Sequence, residues 1–216
     1  MSTIPSVSDY CRLLERLDRW SAEASARHPG VVPCRAGCTA CCHGPFDVTA
    51  ADVELIRAAV LELPAGERHI VVRRARGVLE RLRHLAPDWQ PPWSIADLGD
   101  DRFDAMADAL AGEPCPLLDD TGRCRIYAGR PLVCRLIGLP MRSSAGHVLE
   151  NACPIQNDYP RYAALDPQPF GLEELELLEM ECMRAAAGRL LGDPERWAYE
   201  STIAAVVAGL GEDSGA

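Results

Sequence analysis

The chain has 216 residues, 48% apolar and 25% charged, enough for one domain with a hydrophobic core and unlike a disordered or fibrous chain. Its net charge of −10 argues against nucleic-acid binding as the main task, and no uncharged apolar run of about 18 residues is present to span a membrane. Ten cysteines in a chain too long to need stapling read as metal ligands or redox groups of a reducing compartment. The first residues lack a basic region followed by an apolar stretch, so a soluble, cytoplasmic protein is expected.

Residues 8–26 carry Tyr10, Leu13, Leu14, Leu17 and Trp20 at helical spacing, and His28-Pro29-Gly30 marks the end of that helix. A cysteine-dense loop follows. Thr49, with Asp52 three residues on, predicts the N-cap of a second helix running to about Leu63 and burying Val53, Ile56 and Val60. A third helix over about 65–86 would bury Ile70, Val71, Val78, Leu79, Leu82 and Leu85. The proline-bound stretch 87–93 reads as a loop whose Trp89 and Trp93 cover the core, and a short helix with Phe103, Met106 and Leu110 follows.

From 115 to 153 the pattern changes to short runs split by turns. Leu117-Leu118 before Asp119-Asp120-Thr121-Gly122 suggests a strand end and a tight turn, and 136–141 and 147–150 suggest a small hairpin about Ser143-Ser144-Ala145-Gly146. Helices over 171–191 and 194–210 close the chain, with Pro194 at a first helical position. Glu173, Glu174, Glu176, Glu179 and Glu181 read as a solvated helix face. The expectation is a mainly α fold with irregular cysteine-rich loops and a small β-hairpin. A metal-stabilised domain over 30–155, with inserted helices, would lie between an N-terminal helix (1–29) and a C-terminal helical segment (156–216).

The cysteines fall into two blocks. The first is Cys34-Arg-Ala-Gly-Cys38-Thr-Ala-Cys41-Cys42-His43; the second holds Cys115, Cys124 and Cys134, with Cys153 further on. Cysteines two or three residues apart bring sulfurs within chelating distance, and a distant pair completes four-coordination. Neighbouring side chains diverge, so the adjacent Cys41-Cys42 pair is awkward for one ion. It favours a multinuclear cluster, or two centres that divide the pair between them. The candidate metal ligands are therefore Cys34, Cys38, Cys41, Cys42, Cys115, Cys124, Cys134 and Cys153. All-thiolate sets suit both zinc and iron–sulfur.

Cys11 and Cys182 sit inside amphipathic helices and read as core residues outside the site. His43 is expected to hydrogen-bond or face solvent rather than ligate. Segments 34–43 and 115–153 hold six arginines against three acids, a sum of +3, which leaves −13 for the rest of the chain. Cations near sulfur favour the thiolate that binds metal.

These residues resemble the YkgJ-type cysteine-cluster family, described as a zinc- or iron-chelating domain. The resemblance covers roughly 30–155 and rests on Cys115-Pro116-Leu117-Leu118, Gly122, Cys124, Ile126, Tyr127, Arg130, Pro131, Cys134 and Arg135, with Cys153-Pro154 as the last cysteine of the pattern. The first block departs from it, since three residues rather than two separate Cys34 from Cys38. The resemblance implies a metal ion or cluster as the bound partner. One relative, the flagellin lysine methylase, implies that such a domain can sit in an enzyme acting on protein lysines.

Arg130 and Tyr127 read as structural, the arginine bonding loop carbonyls or sulfurs and the tyrosine packed with its hydroxyl bonded nearby. No glycine-rich strand-to-helix turn supports a methyl-donor pocket. Cys34, Cys38 and Cys41 fit a radical-type C-x3-C-x2-C spacing, but the chain lacks the strand–helix alternation of a barrel. The reading is a metal-binding protein with an iron–sulfur cluster or Zn2+, and a protein partner as a further expectation. A protein-modifying enzyme and a metal storage or delivery protein are the alternatives.

Overall fold

The computed structural model describes residues 6–34, 37–149 and 153–211. Arg35 and Glu150, two of the charges counted above, lie outside them. The fold is mainly α with a few short strands, and no described helix is long and apolar enough to cross a membrane.

Helix α1 (Val7–Arg27) begins at a Ser6 capping box and buries Tyr10, Leu13, Leu14, Leu17 and Ala24 on one face. Strand β1 (Asp47–Thr49) leads into α2 (Ala50–Leu61), where Thr49 accepts the Asp52 N–H and Asp52 reaches back to Thr49. Helix α2 is apolar nearly all round and correspondingly buried, with Val53, Leu55, Ile56 and Val60 in the core. Helix α3 (Ala65–Leu85) buries Val71, Val72, Ala75, Val78 and Leu82. The stripe is shifted from the expected one: Leu85 is 47% exposed and Ile70 half-buried.

Helices α4 (Ile95–Leu98) and α5 (Asp100–Ala109) build a second, smaller core with Val78, Leu82, Trp89 and Phe103. Trp89 is buried there and donates its indole N–H to the Ser94 carbonyl at 2.8 Å. Helix α6 (Leu132–Leu136) carries Cys134. The hairpin is shorter than expected, β2 (Met141–Arg142) pairing with β3 (Val148–Leu149), because residues 132–136 are taken by the helix. Helix α7 (Pro160–Ala163) precedes β4 (Gln168–Pro169), which adds to β2 in parallel.

Helix α8 (Leu172–Leu191) matches the expected span, but the helix over 194–210 does not form as one piece. Residues 194–196 make a 3-10 turn and β5 (Glu200–Thr202) pairs antiparallel with β1, Val48 opposite Ser201. Thr202 then restarts a helix, α9 (Ile203–Gly209), by accepting the Ala205 N–H at 3.1 Å. Strand pairing and a cap residue together override the apolar periodicity.

One large core collects side chains from α1, α2, α3, α8 and α9. Asp52 is 1% exposed within it and is held by the Tyr10 hydroxyl (2.8 Å) and the Leu132 N–H (2.9 Å), so one buried carboxylate ties α1 and α2 to the start of α6. The glutamates of α8 are not a uniformly solvated face. Glu173 accepts from Ser144 Oγ (3.0 Å) and the Ala145 N–H (3.3 Å), pinning the hairpin turn.

Glu179 is half-buried, and its carboxyl is pushed up to about 7, first by burial and then by Asp52, Glu176 and Glu200. Since the folded chain holds this proton more tightly than the unfolded one, the stability it gives is complete below the ordinary value near 4.5 and is lost as pH rises through about 7. Glu179→Gln should therefore be close to neutral at pH 4.5 and stabilising by about 2 kcal/mol at pH 8. Urea unfolding at the two pH values checks this; equal effects at both would refute it.

Candidate metal centre

Two backbone links bring the cysteine blocks together. The Gly44 N–H donates to the Glu113 carbonyl at 2.7 Å, and the Cys115 N–H to the Cys42 carbonyl at 2.9 Å. His43 and Pro114 form the antiparallel bridge between them. On the other side of Cys115, Leu118 bridges Cys124 across the expected turn. Asp119 organises that turn, its Oδ1 accepting from the Thr121 N–H (2.8 Å) and the Arg123 N–H (2.9 Å). The turn seats on the first block: Gly122 has φ 78°, and a Cβ there would lie 2.8 Å from Thr39 Cγ2 and 3.3 Å from the Gly37 carbonyl. Only glycine fits both demands.

The eight candidate cysteines, Cys34, Cys38, Cys41, Cys42, Cys115, Cys124, Cys134 and Cys153, all line one cavity of about 290 Å3. Its lining has no carboxylate and no imidazole, so the donor set is soft and all-sulfur, as zinc or an iron–sulfur cluster prefers. The sulfurs stand around the space rather than meeting at a point. Among the described residues no three Cys, His, Asp or Glu side chains are gathered closely enough to hold one ion. Cys34 is the exposed member of the eight and Cys153 the buried one. Cys11 and Cys182 do not line the cavity; both belong to the large apolar core. His43 is exposed, and its Nδ1 bonds the Thr39 carbonyl oxygen at 2.9 Å.

Burial, with neighbouring sulfurs second, sets the electrostatics of most of the sulfurs. Burial, then the sulfurs of Cys153, Cys38 and Cys41, pushes the Cys34 thiol up to about 11. Burial pushes Cys115 up to about 12, with the Cys124 sulfur adding to it. Cys134 moves strongly upward for the same reason, with Cys115 and Cys124 as its main sulfur neighbours. Cys41 is raised and Cys42 lowered, because the Cys41 S–H donates to the Cys42 sulfur. Unpaired thiolates packed this densely require a cation nearby.

Part of that positive charge comes from arginine. Of the six arginines of the cysteine segments, Arg130 and Arg135 line the cavity, and Arg130 favours the Cys124 thiolate. Arg125 instead pairs with Glu67 at 2.8 Å. Arg135 is 7% exposed and bonds the carbonyls of Arg130 (2.9 Å) and Ala128 (2.6 Å). Both Arg130 and Arg135 end on Asp18 of α1, Arg130 at 2.7 Å. Tyr127 departs from expectation: it is 65% exposed, its ring lying 4.2 Å from the Arg130 guanidinium at the cavity mouth.

Two residues escaped the sequence reading. Asp18 is one of several charges on a helix outside the cysteine segments, and nothing in its spacing marks it. Tyr162 is fully buried beside the site and donates its hydroxyl to the Gly138 carbonyl.

Removing Asp18 leaves Arg135 buried without its carboxylate. Asp18→Ala is expected to cost about 2 kcal/mol and to reduce metal retention, less than a fully enclosed pair because Asp18 is 37% exposed. Asp120→Ala, which breaks an exposed pair with Arg74, should leave stability and metal content unchanged. Urea unfolding and metal analysis of both variants decide the point.

No curated protein and no solved structure matches the chain. The CxxCxxCC family model, described as "Putative zinc- or iron-chelating domain", matches residues 33–154, more than half the chain and a span that contains all eight cysteines of the cavity. The chain belongs to this family of zinc- or iron-chelating domains.

Proposed function

We propose that this chain is a metal-binding module whose eight cavity cysteines hold metal as thiolates, with an iron–sulfur cluster in at least one centre. The observation that carries this reading is the meeting of all eight sulfurs, from blocks far apart in sequence, around one cavity. Eight soft donors around one space, with no carboxylate or imidazole among them, suit a polynuclear cluster better than a lone ion, which takes four. When bound, such a cluster supplies one-electron redox chemistry and the free energy that orders loops with little core of their own.

The two arginines at the cavity are already committed. Arg135 is spent on two carbonyls and Asp18, and Arg130 on Asp18 and the Tyr127 carbonyl. This favours a structural or electron-transfer centre over acid–base catalysis. The exposed Cys34 and Tyr127, both lining the cavity, leave a path for a protein partner to approach.

Anaerobic purification with iron, zinc and acid-labile sulfide analysis tests the proposal. A brown protein with stoichiometric iron and sulfide supports it; colourless protein carrying only zinc overturns the iron–sulfur assignment, and metal-free protein overturns the whole reading. Cys124→Ala and Cys134→Ala should each lower metal content and stability, whereas Cys182→Ala should leave metal content unchanged. Equal metal content in all three would refute the ligand assignment.

A further inference from the structure

Of the two tryptophans in the 87–93 loop, Trp89 fills the smaller core, whereas Trp93 packs against that core with only part of its surface. The φ of Trp93 is 59°, in the left-handed region that a bulky residue adopts only when its surroundings hold it there. Two contacts fix its ring. The Trp89 ring meets it edge-on with centroids 5.3 Å apart, and the Arg83 guanidinium lies 5.8 Å from its centroid. So held, Trp93 lines a second cavity of about 200 Å3, where α2, α8, α9 and β5 meet and which no cysteine lines.

The fold does not account for one polar group there. Ser201 lines the cavity and is 1% exposed, yet its hydroxyl makes no hydrogen bond to any described residue. It lies close enough to Tyr199 to act on it, but the tyrosine O–H donates to the Pro92 carbonyl at 2.7 Å. A buried hydroxyl left in this way costs stability, and alanine would fill the same strand position without that cost. Arg57 of α2 also lines the cavity, and no carboxylate does so among the described residues. Its guanidinium has five donors in a planar fork, so it can take up a flat anion in addition to any other bond it makes. The rest of the lining is largely apolar, Leu191 and Val206 included.

We infer that this cavity is a binding site for a small aromatic carboxylate, separate from the cysteine cavity. The ligand ring packs among Trp93, Leu191 and Val206. Its carboxylate accepts from the Arg57 guanidinium and from the Ser201 hydroxyl, which thereby gains the partner it lacks. Apolar walls with an aromatic ring and a few converging polar groups are the usual make-up of a small-molecule site. Size narrows the class. A cavity of about 150 Å3 admits a benzene ring, so about 200 Å3 has room for a ring with one carboxylate and not for a nucleotide-sized molecule. Charge narrows it further, because a cation would meet Arg57 with no carboxylate in the lining to offset it.

Isothermal titration calorimetry of the full chain as purified, with benzoate and with benzamide as its uncharged counterpart, tests the site. Benzoate should bind once per chain with a dissociation constant of about 1 mM or tighter, and benzamide about tenfold more weakly. Ser201→Ala should weaken benzoate about tenfold while raising the melting temperature of the unliganded chain, because it removes a buried hydroxyl without a partner. Arg57→Gln should weaken benzoate at least as much. Circular dichroism checks that each variant folds; where Arg57→Gln does not, the Ser201→Ala result decides. Absence of saturable benzoate binding to folded wild-type protein, equal affinity for benzamide, or full affinity in Ser201→Ala would each overturn the inference. A lower melting temperature for Ser201→Ala would do so as well, since the hydroxyl would then already be satisfied within the fold.

Discussion

Everything about the site depends on two amide hydrogen bonds, from Gly44 to Glu113 and from Cys115 to Cys42. They join segments separated by four helices, α2 to α5, and they set the first cysteine block against the second before any metal is considered. Closing so large a loop costs entropy that two bonds cannot offset. The cost is carried by α2 to α5, which fill the intervening sequence with buried apolar surface and return the chain to the same place. The helices outside the matched family span take part as well: α1 supplies Asp18 to the cavity arginines, and Ile203 of α9 lines the cavity itself.

A second theme is buried negative charge. Asp52 is enclosed in the core, Glu179 and Glu200 stand near it, and burial raises the carboxyls of all three. Asp52 is offset by a tyrosine hydroxyl and a backbone amide rather than by a cation, which is the less costly arrangement where both partners are fixed by helices. Its bond to Leu132 holds the start of the helix that carries Cys134, so core chemistry reaches the site through a single carboxylate.

Most of the helices were legible because their signals are local. The Thr49–Asp52 cap and the apolar spacing of α1 and α3 are set within a few residues of chain. The candidate cysteines were legible for a different reason: cysteines two or three residues apart are spaced for chelation. What failed was non-local. The 194–210 stretch has helical periodicity, yet Ser201 and Thr202 pair with Val48 and Asp47, a partner that no local pattern announces. Glu179 looked solvated because its helix face is acidic; packing against the Asp52 region buries it. Asp18 carries no signature, since its role is defined by two arginines more than a hundred positions away.

The β1–β5 ladder bears on the order of synthesis. Asp47, only a few residues past Cys42, finds its strand partner at Thr202. A chain emerging from the ribosome will therefore have made all eight cysteines while the segment carrying the first block still lacks its neighbouring strand and the wall formed by Ile203. Contacts of such long sequence separation form late. The cavity is therefore complete only once β5 and α9 have docked, after all eight of its cysteines have been made.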